Sequence, residues 1–151
     1  MKILYCNRSR RPPEEEAELK AEYVSKETLL TEADFVVLVC PYTTETHHFI
    51  DEAALAAMKS DAVLVNIARG GVIDTAALTT ALQSKAIGGA GLDVTDPEPL
   101  PRDHPLHSLD NVIIMPHRGS ATKNTRAAMA RLCVKNLMKG LDGEELEACC
   151  N

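Results

Sequence analysis

The sequence predicts a doubly wound α/β fold built on parallel strands, and three observations support this. Five short apolar segments are continuous rather than alternating, helical patterns separate them, and residues suited to helix capping mark where those helices begin. The segments are KILYC (2–6), FVVLVC (35–40), AVLVNI (62–67), GGAGLDV (88–94) and NVIIMP (111–116). Continuous β-branched runs suit strands buried on both faces, so the sheet should be parallel and covered by helices on each side.

The helices between them are signposted. Asp51 precedes EAALAAMK, with Ile50 and Leu55 spaced as a hydrophobic staple; Asp74 precedes TAALTTALQ, with Ile73 and Leu78 at the same offsets. A last helix is expected over roughly 120–139, with Met129, Leu132, Cys133 and Leu137 at helical spacing and Gly140 as its stop. No repeat or low-complexity segment interrupts the alternation. A dinucleotide-binding sheet normally opens with a strand and a G-x-G-x-x-G turn, whose amides hold the pyrophosphate. This chain has no such turn, and GGAGLDV runs into its strand rather than out of one.

Composition narrows the class. The chain has 151 residues, 45% of them hydrophobic and 25% charged, which is enough for one globular core. Aromatics make up 3% and tryptophan is absent, so Val, Ile, Leu and Ala must build that core. A net charge of −6 argues against a general nucleic-acid binder. Cys6, Cys40, Cys133, Cys149 and Cys150 show neither metal-ligand nor disulfide-framework spacing, which suits reduced thiols. No metal site is expected. Without a signal-peptide pattern or an apolar run of membrane-spanning length, cytoplasm is the expected compartment and no membrane partner is foreseen.

Four patches lie at or just after strand ends, the edge where open α/β sheets bind ligands. Arg69, in NIARGG, offers a fork of donors suited to a carboxylate, and Gly70 and Gly71 allow close approach of a ligand; pairing with a neighbouring acid is the alternative. In GLDVTDPEPLP, Asp93 ends a strand and Glu98 sits in a proline-stiffened loop, readable as a cap and a solvated turn or as site acids. His117 follows Pro116 in MPHRGSAT and is a candidate general acid/base; His47, His48, His104 and His107 read as ordinary loop residues. Finally, YCNRSRR puts Asn7 where an acid would accept from an adenosine ribose, followed by Arg8, Ser9, Arg10 and Arg11. Arginine there suits a 2′-phosphate, and a solvated basic turn is the alternative. Arg, Glu and His on three successive strand ends are what reduction of a 2-keto acid needs, with the hydride coming from a cofactor.

These residues resemble the D-isomer-specific 2-hydroxyacid dehydrogenases. LVNIARGGVID, ALTTALQSKAIGGAGLDVTDPEPL, NVIIMPHRGSAT and DFVVLVCPYTTETHHFID are similar to successive signatures of that family over nearly the whole chain. The DPEPLP and MPHRGSAT wording is most similar to its glyoxylate/hydroxypyruvate-reducing branch, which favours NADPH with NADH possible. The resemblance implies Arg69 as the substrate-binding arginine, Glu98 as the histidine's partner and His117 as the acid/base. It places Asp93, Ile67 and Gly119 around the nicotinamide, Cys40 and Pro41 along the cofactor, and Arg8 and Ser9 near the 2′-phosphate. Arg118 departs from the small or apolar residue usual after this histidine.

The same resemblance implies a partial Rossmann-like NAD(P)-binding domain over 1–119, and over 120–151 a helix and tail that in the family return toward a substrate domain. In strand order 3-2-1-4-5-6 the lost first strand is central, so two edges should be left unpaired. The expectation is a fragment that binds NADPH poorly alone, from a parent that forms homodimers. Alternatives are a cofactor-sensing corepressor-like protein, whose corresponding loop HHFID resembles, or another 2-hydroxyacid dehydrogenase, such as a phosphoglycerate or 2-ketogluconate reductase.

Overall fold

The computed structural model describes residues 1–149. Its elements run β1 (Ile3–Tyr5), α1 (Pro13–Leu19), β2 (Ala21–Tyr23), α2 (Lys26–Glu32), β3 (Phe35–Leu38), α3 (Glu52–Ala57), β4 (Val63–Asn66), α4 (Thr75–Gln83), β5 (Gly89–Leu92), β6 (Val112–Ile114) and α5 (Lys123–Asp142). Single 3-10 turns occupy Gly70–Val72 and Pro105–Ser108. The chain divides into two compact units, Met1–Pro116 and His117 onward.

In the first unit every strand pairing is parallel. β3, β4, β5 and β6 lie side by side, with Phe35 opposite Val63, Val63 opposite Gly89 and Ala90 opposite Val112. β1 pairs only with β2, from Ile3–Ala21 to Tyr5–Tyr23. The sheet thus parts between β1 and β3, where the missing strand was expected.

Alternation of burial shows which face holds the unit together. Val36, Leu38, Leu64, Ala90 and Leu92 point into a core with Leu55, Leu78 and Leu82 of α3 and α4, and with Leu30 of α2. Leu64, Leu78 and Leu82 are almost wholly inaccessible, and each such side chain contributes about 1.5–3 kcal/mol relative to exposure. The opposite face is bare at its edges. Phe35 is 67% exposed, Val37 51% and Ile113 69%. The expectation of helices on both sides is therefore corrected for this unit. Apolar residues on both faces of a strand record that both need cover, not that the same stretch of chain supplies it.

The capping signals act as read. Asp51 accepts from the Ala54 amide at 2.8 Å, and Asp74 accepts from both Ala76 and Ala77 at 3.0 Å. Sequence reading missed α1, β2 and α2. In the second unit α5 starts at Thr122, whose hydroxyl accepts from the Thr125 amide, and ends on Gly143 at φ 73°. Gly140 lies inside the helix, so the expected stop moves three residues on, to the glycine whose left-handed backbone closes the last turn. Cys6, Cys40 and Cys133 are free thiols; Cys150 lies outside the described residues.

Candidate functional site

The site is built on the turn that leaves β4. Asn66, 1% exposed, donates from Nδ2 to the Arg69 carbonyl at 2.9 Å and accepts the Ala68 amide at 3.0 Å. Both polar ends of a buried amide are thereby satisfied, and the backbone around Arg69 is fixed. Arg69 donates from Nη1 to the Ala68 carbonyl at 2.7 Å and is otherwise exposed.

The two glycines that follow serve a different purpose from the one their sequence suggests. A Cβ on Gly70 would lie 2.0 Å from the Thr95 carbonyl oxygen, and one on Gly71 would lie 2.9 Å from the Tyr42 ring. Neither has a positive φ. They admit the chain's own backbone and side chains, not a ligand. This close approach seats the Arg69 turn directly on the turn after β5. There the Thr75 hydroxyl donates to the Asp96 carbonyl at 2.8 Å, and the Thr95 amide faces Glu98 Oε2 at 3.5 Å. Asp93 is tied in through its amide, which donates to the Asn66 carbonyl at 2.9 Å. Arg69, Asp93 and the Glu98 turn are therefore brought together at the C-terminal ends of β4 and β5.

Beside them lies an open cleft of ≈ 710 Å³, lined by Val39, Cys40, Pro41, Tyr42, Ile67, Ala68 and Arg69. Burial pushes the Cys40 thiol up from its ordinary value, keeping it neutral as part of an apolar wall. Tyr42 was missed by sequence reading. Its hydroxyl lies 2.9 Å from His47 Nδ1, and His47 stacks on His48 at 3.9 Å between centroids. His48 in turn faces the Asp74 carboxylate at 3.7 Å. The only sequence signal for Tyr42 was its place directly after Pro41. His104 caps its 3-10 turn through Nδ1, the ordinary loop role expected of it.

Between β1 and α1 the basic turn is sorted by its partners. Arg10 is engaged by Glu16 at 2.8 Å and Arg11 by Glu15 at 3.3 Å, whereas Arg8 and Ser9 are exposed. An unengaged guanidinium next to a hydroxyl fits a phosphate dianion, and the apolar cleft walls Cys40, Pro41 and Ile67 fit a flat ring. The residues present thus suit the two ends of a phosphorylated dinucleotide.

His117 and Gly119 belong to the second unit. His117 opens it with φ 49°, a conformation uncommon for a residue with a Cβ, and Gly119 precedes the start of α5 by four residues. Among the described residues, no group of three His, Cys, Asp or Glu side chains could hold a metal ion, and no helix is long and apolar enough to cross a membrane.

Comparison with known proteins places these features in context. Residues 1–119 match the family described as D-isomer specific 2-hydroxyacid dehydrogenase, NAD binding domain. The chain is 50% identical over 151 residues to glyoxylate/hydroxypyruvate reductase B of Citrobacter koseri, covering 100% of this chain and 46% of the relative. It is 53% identical over 144 residues to glyoxylate reductase of Thermococcus onnurineus, covering 95% and 42%. Among solved structures, the holo form of Rhodotorula graminis D-mandelate dehydrogenase superposes with a TM-score of 0.91 at 37% identity, over 100% of this chain and 44% of that one. The chain spans about half the length of the relatives it matches.

Proposed function

Because this chain belongs to the D-isomer specific 2-hydroxyacid dehydrogenase family of oxidoreductases and carries its NAD-binding domain, we propose that its residues serve NADPH-dependent reduction of a small 2-keto acid, glyoxylate or hydroxypyruvate, to the D-2-hydroxy acid. The observation carrying this reading is the seating of the Arg69 turn on the Glu98 turn through Gly70. It sets the Arg69 turn and the Glu98 turn at adjacent strand ends beside a cleft with apolar walls, which suits a cation that binds a carboxylate and an acid that partners the proton donor.

In this reading Arg69 grips the substrate carboxylate in bidentate fashion and draws electron density from the neighbouring keto oxygen. The reduced nicotinamide, when bound, supplies the hydride that the keto carbon accepts. His117 gives its proton to the carbonyl oxygen, completing a two-electron, one-proton balance, with Glu98 as its partner carboxylate. Ile67, Asp93 and Gly119 would lie around the nicotinamide, and Cys40 and Pro41 along the cofactor. Arg8 and Ser9 receive the 2′-phosphate, which is why NADPH is preferred over NADH.

The chain spans about half of these relatives, so the reading is tested with the remaining half supplied. The test is a chimera in which the 151 residues replace the matching stretch of the Citrobacter koseri reductase. Saturable NADPH oxidation with glyoxylate is expected, and Arg69→Ala should lower kcat/KM by about 10²–10³-fold. A folded chimera that binds NADPH yet reduces no 2-keto acid would sink the reading.

A further inference from the structure

The turn Asn7–Arg11 is held at three points by groups that have no place in the reaction. The Tyr23 hydroxyl donates to the Asn7 carbonyl at 3.0 Å. The Tyr5 hydroxyl accepts the Arg11 amide at 2.8 Å and donates to Glu16 Oε1 at 2.6 Å. Arg10 lays Nε and Nη2 against the two Glu16 oxygens at 2.9 and 2.8 Å, a bidentate fork. The Tyr5 and Tyr23 rings pack at 5.3 Å behind them. Glu16, with 11% of its side chain exposed, is the node through which β1, the turn and α1 are joined.

What this leaves exposed is specific. Arg10 and Arg11 are answered by Glu16 and Glu15, so two of the turn's three cations have carboxylate partners. Between the fixed points stand Arg8 and Ser9, and among the described residues neither makes a hydrogen bond or ion pair. The charge on Arg8 instead extends toward the Pro41–Phe49 loop. Glu45 there is held below its ordinary range, first by the Thr43 hydroxyl and in smaller part by Arg8.

We propose that Glu16 is a positioning residue for cofactor selection: with Tyr5 it consumes Arg10 and braces the turn so that Arg8, with Ser9, is the cation presented to the adenosine 2′-phosphate. This rests on the NADPH reading above and adds to it a division of labour among three neighbouring arginines. A braced turn loses little conformational entropy on binding, and a single presented guanidinium grips one phosphate without competition from its neighbours.

The test uses the full 151-residue chain and two probes, adenosine 2′-monophosphate and adenosine 5′-monophosphate, followed by amide chemical shifts. The wild type should bind the 2′-isomer more tightly, with saturable shifts at Arg8 and Ser9. Arg8→Gln should erase that preference, and Arg11→Gln should leave it intact. Glu16→Gln should reduce it by about tenfold, ~1.4 kcal/mol, and Glu16→Asp should restore part of it. Tyr5→Phe repeats the test with a milder lesion should Glu16→Gln unfold the turn. A full 2′ preference retained in both Glu16→Gln and Tyr5→Phe overturns the positioning role while leaving the NADPH reading standing. Loss of preference in Arg11→Gln as deep as in Arg8→Gln overturns the division of labour. A wild type indifferent to phosphate position overturns the NADPH reading and this proposal together.

Discussion

Gly70 is where a single side-chain atom decides whether the site assembles. Its α-carbon touches the Thr95 backbone so closely that a Cβ would stand 2.0 Å from a carbonyl oxygen, with no flexible side-chain end to give way. Gly70→Ala must therefore push the Arg69 turn off the Glu98 turn. A loss of about 1–3 kcal/mol in chemical denaturation is expected from such overpacking, and an unchanged midpoint would contradict the contact. Sequence showed that Gly70 and Gly71 allow close approach but not to what, because the Thr95 backbone lies 25 positions downstream. Arg69, Glu98 and His117 were legible as reactive types at strand ends. Asn66 and Tyr42 were not, since a buried amide and a loop phenol carry no chemistry until their neighbours are known.

Among the elements, those with continuous apolar runs, extended helical spacing or aspartate caps were legible; α1, β2 and α2 lack these signals, although α2 buries Leu30. The strands β3 to β6 announced themselves as runs of Val, Ile and Leu, and α3 and α4 by their aspartate caps. α1, PEEEAEL, buries no residue and so has no apolar periodicity to detect; its proline start and acidic first turn were the available signals. β2 is three residues long and follows that helix after a single residue, Lys20, in a left-handed conformation. α1 is attached through Glu16 instead, and this has a pH signature. Arg10 first, then Tyr5, holds the Glu16 carboxyl down to about 2 from its ordinary 4.5. A carboxyl depressed in the folded state stabilises fully above its unfolded value, and that contribution fades as pH falls from about 4.5 toward 2. Denaturation followed between pH 6 and 3 should show a steeper acid loss in the wild type than in Glu16→Gln. Equal slopes would mean the Arg10–Glu16–Tyr5 network does not form.

Beyond single elements, the bare sheet face of the first unit dominates. Phe35, Val37, Val39, Ile67, Ile113 and Met115 are exposed large apolar residues on or beside β3, β4 and β6. β3 carries no charge that would discourage edge-to-edge pairing. An apolar surface of this kind drives association, so the isolated chain should sediment with a concentration-dependent mass. Val37→Lys should shift it toward monomer, and a monomeric wild type at high concentration would contradict this. The parting of the sheet was foreseeable from the absent glycine turn. The bare face was not, because strand composition is the same whether cover comes from nearby or from elsewhere.

The most direct test of the account compares NADPH oxidation with glyoxylate by the 151-residue chain alone and by the Citrobacter koseri chimera carrying it. The account predicts little or no turnover from the chain alone, and saturable turnover from the chimera that Arg69→Ala and His117→Ala each lower, by about 10²–10³-fold in kcat/KM for Arg69→Ala. Saturable turnover by the chain alone, or a chimera indifferent to either substitution, would contradict it.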